Sequence, residues 1–412
     1  MHWIEDVSLI GTQAKWVVNG CAIAAGVFAL LHALRHKRLK ATATVVVTSA
    51  ALVMLSKYLI EHVWRPFPEA IPWQIYACFG GAIIVLCLAW LHPRTPWMVL
   101  FVVMSLIGAL GSTNLVYQMY PNLAAFEKDK YSKAMSVEEF KQAEHDGGLP
   151  TTKGVKLTLS LPASSKFTPR DAQVYLPPAY WQGEKLPVIV LMAGNPGSPS
   201  DWFNSALADR TADDYQKRHG GVAPIIVSVD ATGSYAANPV CADSGDKKVT
   251  TYIAQDVPKE LKKVLKVDDN PQHWTIGGLS YGGTCSLQVV TNFPEAYGSF
   301  LDFSGQKEPT TGKHDETVRK FFNGSEEQFK AHNPADLLQK HQGDGTYRAI
   351  AGKFVAGEKD EDSQHALSHL NELALKAGMD AEYFTVAGGH DFSTWRHALE
   401  QTFDWAAQRG GL

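Results

Sequence analysis

The chain has 412 residues, too many for one ordinary domain, and carries 38 basic against 42 acidic residues for a formal net charge of −4. That balance excludes nucleic acid as the main partner, because a phosphate-binding surface requires a basic excess. A mean hydropathy of −0.14 is that of an ordinary soluble protein, but it averages two unlike parts: roughly the first 120 residues are strongly apolar, and the remainder is polar and punctuated by Gly and Pro.

In chain order, the first elements are four apolar stretches, at residues 16–34, 41–60, 73–91 and 97–117. Each runs about 20 residues, the length of helix that crosses a hydrocarbon core of roughly 30 Å. Trp16, Trp73, Trp90, Trp97 and Tyr117 stand at or near their ends, where an amphipathic ring suits the headgroup region. The alternative, a set of buried core helices, would leave little amphipathic surface. The first connection, Arg35-His36-Lys37-Arg38-Leu39-Lys40, is the densest basic cluster here and is expected to stay in the cytoplasm. The second connection, with Glu61, Arg65 and Glu69, is near neutral, the third adds Arg94, and Glu5 and Asp6 outweigh Lys15 ahead of the first stretch. The expected topology is N-terminus outside, four spans, and the remaining chain outside, at a cell membrane. A cleaved signal peptide fits poorly, since the basic residues follow the first apolar run. Lys57 and Glu61, four residues apart, are expected to pair with the lysine snorkelling. Cys21, Cys78 and Cys87 fall inside the spans as small packing residues.

Residues 121–153 are expected to form a charged linker with one short helix, opened by the capping box Ser136-Val137-Glu138-Glu139 and ended by His145-Asp146-Gly147-Gly148. From residue 154 onward short β-rich runs alternate with helical ones. Strands are expected at 155–161, 172–176, 188–193, 225–230, 274–279, 299–303, 353–356 and 382–386. Helices are expected at 206–219, 256–265, 281–292, 363–377 and 394–407. The run Leu186-Pro187-Val188-Ile189-Val190-Leu191-Met192 is that of a strand buried on both faces. Such alternation implies an α/β fold with a mainly parallel sheet covered on both sides.

Chemistry enters with Gly278-Leu279-Ser280-Tyr281-Gly282, a G-x-S-x-G pentapeptide between an apolar strand and a helical stretch. That context is what a nucleophile elbow requires: the serine sits on a tight strand-to-helix turn between small residues. Its general base should lie downstream after a last strand, and Gly388-Gly389-His390 follows Tyr383-Phe384-Thr385-Val386. The acid should follow the preceding strand, where Gly357-Glu358-Lys359-Asp360-Glu361-Asp362 crowds four carboxylates. Asp360 is favoured, with Glu358 and Asp362 as competitors. An oxyanion hole needs two fixed N–H donors. One is expected from Tyr281, directly after the serine, and the other from Met192-Ala193-Gly194-Asn195-Pro196-Gly197, where Asn195 is the choice because Pro196 has no N–H.

Together these residues resemble the esterase group of α/β-hydrolases that includes esterase D, enterochelin esterases and actinobacterial mycolyltransferases. The resemblance spans most of residues 155–410. It rests on Ala193-Gly194-Asn195-Pro196-Gly197 with Asp201-Trp202, on Gly277-Gly278-Leu279-Ser280-Tyr281-Gly282-Gly283, on Gly357-Glu358-Lys359-Asp360, and on Gly388-Gly389-His390-Asp391 with Trp395-Arg396. It implies the α/β-hydrolase fold and a Ser–acid–His triad working without a cofactor. The implied reaction is ester hydrolysis, or acyl transfer to a sugar or protein hydroxyl, with an acyl ester such as an envelope lipid as substrate. The four-span region is not part of the common pattern and looks like an actinobacterial envelope variant.

Cys241 and Cys285 are the only cysteines beyond the spans, and an outward-facing domain permits them to form a disulfide. His365 and His369 stand at zinc-ligand spacing, but no third ligand accompanies them, so no metal is expected. Residues 306–345, polar and between two strands, are expected to form an insertion beside the active site, as a lid or acyl-chain wall.

Overall fold

In a computed structural model describing residues 7–36, 39–64, 70–91, 96–126 and 132–412, the chain divides into two units, Met1–Phe126 and Glu127–Leu412. Glu5, Asp6, Lys37, Arg38, Arg65, Glu69 and Arg94, on which part of the topology expectation rests, lie outside the described residues.

The first unit contains the helices Thr12–Arg35, Leu39–Tyr58, Trp73–Leu91 and Trp97–Tyr117, the second continuing as a π-helical stretch, Leu59–Trp64. All four are long and apolar enough to cross a membrane. Small residues set their packing. Ala25, Ala29 and Ala33, one turn apart on the first helix, are buried in a cluster with Val85, Leu88 and Met98. A Cβ on Gly108 would stand 2.7 Å from that of Ala22, and one on Gly111 would stand 2.5 Å from a Val18 methyl, so glycine is what lets the first and fourth helices approach. Lys57 pairs with Glu61 as its spacing predicts, and its ammonium lies 5.1 Å from the Tyr76 ring centre.

The second unit is built on a nine-stranded sheet among the described residues. In chain order the strands are β1 (Ser132–Ala134), β2 (Gly154–Leu159), β3 (Ala172–Leu176), β4 (Val188–Met192), β5 (Ile225–Val229), the two-residue hairpin strands β6 (Asp243–Ser244) and β7 (Lys247–Lys248), β8 (Thr275–Leu279), β9 (Ser299–Phe303), β10 (Ala351–Gly357) and β11 (Asp380–Val386). The main sheet runs β1-β2-β3-β5-β4-β8-β9-β10-β11. Only β3 is antiparallel to its neighbours, β2 and β5, and the other pairings are parallel. All five residues of β4 are buried, as its apolar run requires. This is the mainly parallel sheet that strand–helix alternation implies, with six of the eight expected strands shifted at one or both ends by one or two residues.

The expected linker needs correction. Ser132–Ala134 pairs in register with Gly154–Lys156 of β2, and the Ser132 hydroxyl donates to Asp209 at 2.6 Å. The helix Val137–His145 begins with the anticipated capping box between Ser136 and Glu139, and its Phe140 is buried in the main core beside Tyr180 and Trp181. Residues 132–153 therefore belong to an edge of the main sheet and are not a tether. Three strand residues leave too short a pattern to read in one dimension.

Candidate active site

Ser280 occupies the turn between β8 and the helix Tyr281–Asn292, with φ 52° and ψ −116°. A non-glycine residue in this region costs on the order of 1–2 kcal/mol, which the surroundings must impose. They do so through backbone bonds: the Ser280 N–H donates to Phe303 O at 2.7 Å, and Ser280 O accepts from Thr284 N at 3.1 Å. The flanking glycines are steric necessities. A Cβ on Gly278 would lie 2.2 Å from the Gly282 carbonyl carbon, and one on Gly282 would lie 2.1 Å from Met192 O.

The sheet carries His390 and Asp360 to the same edge. Both follow parallel neighbours, β11 and β10, and their loops are joined by bonds from Glu358 N to Val386 O at 2.8 Å and from Lys359 N to Gly388 O at 2.9 Å. Asp391 caps the helix Phe392–Arg409 and also accepts from Gly389 N at 3.0 Å, which fixes the backbone on both sides of His390. The imidazole Nδ1 stands 2.8 Å from Asp360 Oδ2 and Nε2 stands 3.0 Å from Ser280 Oγ. A carboxylate only accepts, so Nδ1 carries the proton and Nε2 is left to accept from the serine hydroxyl. Trp395 presents its ring edge-on to His390 at 5.3 Å.

Of the crowded carboxylates, the structure brings only Asp360 to the imidazole. Glu358, Glu361 and Asp362 are exposed, whereas Asp360 is 8% exposed and also caps the helix Glu361–Lys376 through Ser363 N. Burial pushes the Asp360 carboxyl up, but the hydrogen bond and charge of His390, with the Ser363 contacts, outweigh it and hold the group below the usual carboxylate range.

The Tyr281 amide follows Ser280 at the helix N-terminus. The Tyr281 side chain, which sequence reading assigned nothing, is buried, donating its hydroxyl to Ala231 O and accepting from Cys241 N, both at 2.9 Å. Asn195 is buried in the turn after β4, ahead of a cis bond to Pro196. Gly194 lies against Ser280, its notional Cβ 3.5 Å from Ser280 Cβ. The turn's Asn195 amide and the Tyr281 amide thus belong to the two backbone segments that adjoin Ser280.

Cys241 and Cys285 are joined as a disulfide, with Cα atoms 5.5 Å apart. It ties the loop after β5 to the helix that follows Ser280. The insertion holds the short helices His314–Phe321, Glu326–Lys330 and Pro334–Lys340. Its Val318, Phe322 and Phe329 form a cluster with Val240 and Ala242 of that same loop. His365 and His369 are exposed on the helix Glu361–Lys376.

Asp302 on β9 is a further buried acidic group. It is fully buried, and a Cβ on Gly283 or Gly305 would come within 2.4 or 2.2 Å of its Oδ1, so the glycine directly after the G-x-S-x-G motif makes room for it. Burial pushes its carboxyl up to about 8 against the opposing bond from the Gly305 amide. An acidic residue in the otherwise apolar run Phe300–Phe303 was the available signal.

Residues 165–406 match the family described as "Putative esterase". An uncharacterized protein of Corynebacterium glutamicum is 44% identical over 427 residues, covering 100% of both chains. Among solved structures, a ferulic acid esterase is similar with a TM-score of 0.53 at 20% identity, over 62% of this chain and 98% of its own. An S-formylglutathione hydrolase from Agrobacterium tumefaciens is similar with a TM-score of 0.52 at 14% identity, over 64% and 98%. At such identities the structural likeness speaks for the fold.

Proposed function

The chain belongs to the Esterase family, and from that premise we propose that it is a membrane-anchored, extracytoplasmic serine esterase working through Ser280, His390 and Asp360. The observation that carries this reading is the unbroken line from the Ser280 hydroxyl through both ring nitrogens of His390 to Asp360. In the reaction, His390 Nε2 takes the hydroxyl proton as Ser280 Oγ bonds to the ester carbonyl carbon. The negative charge moves to the carbonyl oxygen, where the amides of Asn195 and Tyr281 receive it. As the intermediate collapses, the ester C–O bond breaks and the imidazolium returns its proton to the departing alcohol. Water, deprotonated by the same imidazole, then attacks the acyl carbon, the bond to Ser280 Oγ breaks, and the imidazolium returns that proton to Oγ as the acid leaves. Asp360 holds the tautomer and stabilises the imidazolium.

The extracytoplasmic side is supported by chemistry in both units. A disulfide persists in oxidising compartments, and the basic connection between the first two candidate spans favours the cytoplasmic face. Treating the full-length protein in native membranes with a fluorophosphonate tests the reading. Wild type should be labelled at Ser280, while Ser280→Ala should be unlabelled and lose ester turnover by on the order of 10⁴ or more. A wild type that is not labelled sinks the reading. Product analysis with an added alcohol shows how the acyl group divides between water and a hydroxyl acceptor.

A further inference from the structure

The turn that holds Asn195 is anchored by a side chain outside the triad. Arg170, in the loop ahead of β3, donates from Nε to Asp230 Oδ2 at 3.0 Å and from Nη2 to Asp230 Oδ1 at 2.8 Å, while its backbone N–H donates to Oδ2 at 2.8 Å. The remaining arm, Nη1, donates to Gly197 O at 3.0 Å. Asp230 follows β5 and is 1% exposed. It also accepts from the amides of Thr232 and Gly233, both at 3.0 Å, and so shapes the start of the following loop. That loop reaches back to the same turn: Tyr235 O accepts from Gly197 N at 3.0 Å, and Ala237 O accepts from the Asn195 side-chain amide. Burial pushes the Asp230 carboxyl up, but the guanidinium and the amides outweigh it and keep it below the usual range.

One ion pair therefore holds the Gly197 carbonyl directly and the start of the following loop through Asp230. Gly197 is gripped on both its N–H and its carbonyl, and the loop supplying the other bonds is itself wound on Asp230. We propose that Arg170 is a positioning residue for acyl transfer: through Asp230 and the Gly197 carbonyl it fixes the turn so that the Asn195 amide meets the developing oxyanion. This rests on the serine-esterase reading. The guanidinium acts through Gly197 and not on the substrate. Its planar fork is essential, because a lysine ammonium can neutralise Asp230 but cannot also span to Gly197 in the same plane.

The test uses the full-length protein and two readouts, the second-order rate of fluorophosphonate labelling at Ser280 and the kcat and KM for a p-nitrophenyl ester, with Tm measured alongside. Arg170→Lys keeps a cation opposite Asp230 and so avoids stranding a buried charge. It should lower both kcat and the labelling rate by on the order of 10–10², part of the effect of losing an oxyanion donor outright. KM should stay within about threefold, as for an interaction felt chiefly in the transition state. Arg170→Met combined with Asp230→Asn removes both charges together and should show the same split. Should Arg170→Lys label and turn over at wild-type rates, or lose activity only in proportion to unfolded protein, the positioning role is overturned and the esterase reading stands. An unlabelled wild type overturns both.

Discussion

The two units expose opposite kinds of surface. In the first, Trp16 and Trp90 are 75% and 82% exposed, and leucines, valines and phenylalanines face outward along the helices. In the second, β4, β5, β8 and β9 are buried at every position, and exposed side chains are mostly charged or polar. The difference is the one expected if the same apolar residues answer to two solvents, since the four helices are long and apolar enough to cross a membrane. Helices that satisfy their own backbone can offer apolar side chains to lipid, and their contacts then depend on small residues such as Ala25, Ala29, Gly108 and Gly111. A sheet in water must hide its apolar faces, so its contacts depend on filling volume.

If the chemistry belongs wholly to the second unit, changes there should dominate. Asp360→Asn should cut turnover of a simple ester by on the order of 10²–10⁴, since the imidazolium loses its partner and its tautomer. Glu358→Gln and Asp362→Asn, on exposed groups, should each change it less than about tenfold. Steady-state kinetics of all three on one substrate checks the assignment, and a crippling Glu358→Gln would overturn it.

The disulfide sharpens the contrast further. It closes a separation of 44 residues, so its loss should destabilise the second unit by about 4 kcal/mol on the chain-entropy account. Cys285→Ser should lower that unit's thermal transition and leave the helical signal of the first in place. In unreduced, denatured protein, alkylation should reach Cys21, Cys78 and Cys87, which are free, and spare Cys241 and Cys285.

Asp302 offers a pH test confined to the second unit. Its carboxyl is raised to about 8. Below the ordinary carboxylate pKa of about 4 both folded and unfolded chains hold the proton. Between there and about 8 the folded chain holds a proton that the unfolded chain has released, so this group's contribution to stability falls as pH rises, by at most about 1.4 kcal/mol per pH unit, and then levels off. Denaturant titrations across that window should show the decline in wild type and a flatter profile in Asp302→Asn. An unchanged slope would remove Asp302 from the account.

The smallest effect should come from removing the first unit. A fragment of residues 127–412 retains β1 and the buried Phe140, and should keep fluorophosphonate labelling within about threefold of wild type. A fragment starting at residue 154 loses both and exposes the β2 edge, which invites aggregation. Light scattering of the two fragments separates these outcomes.

Much of the site was legible because its chemistry is local in sequence. The elbow requires Gly278 and Gly282 around Ser280 within five residues, and His390 and Asp360 each announce themselves as polar residues just past a strand. Arg170 and Asp230 gave no comparable signal. An arginine in a loop and an aspartate after a strand are ordinary surface residues until the fold brings them within 3 Å of one another. β1 escaped notice for a related reason, since three residues make a strand only when a neighbour supplies the other half of the ladder.

The sequence by itself determined what depends on periodicity and on residue type: four helices of membrane-spanning length, strand–helix alternation, the strained turn at Ser280, and the pool of carboxylates near the last strands. Only the tertiary structure decided among equals. Which carboxylate meets His390 depends on how the loops after β10 and β11 are joined, and that turned Asp360 inward while Glu358 and Asp362 stayed in water. Which carboxylate Arg170 meets depends on an approach across 60 residues of chain. Such pairings are set by the packing of the whole sheet, where a hydrogen bond of 3 Å leaves no tolerance for the wrong register, and no stretch of sequence carries that distance within itself.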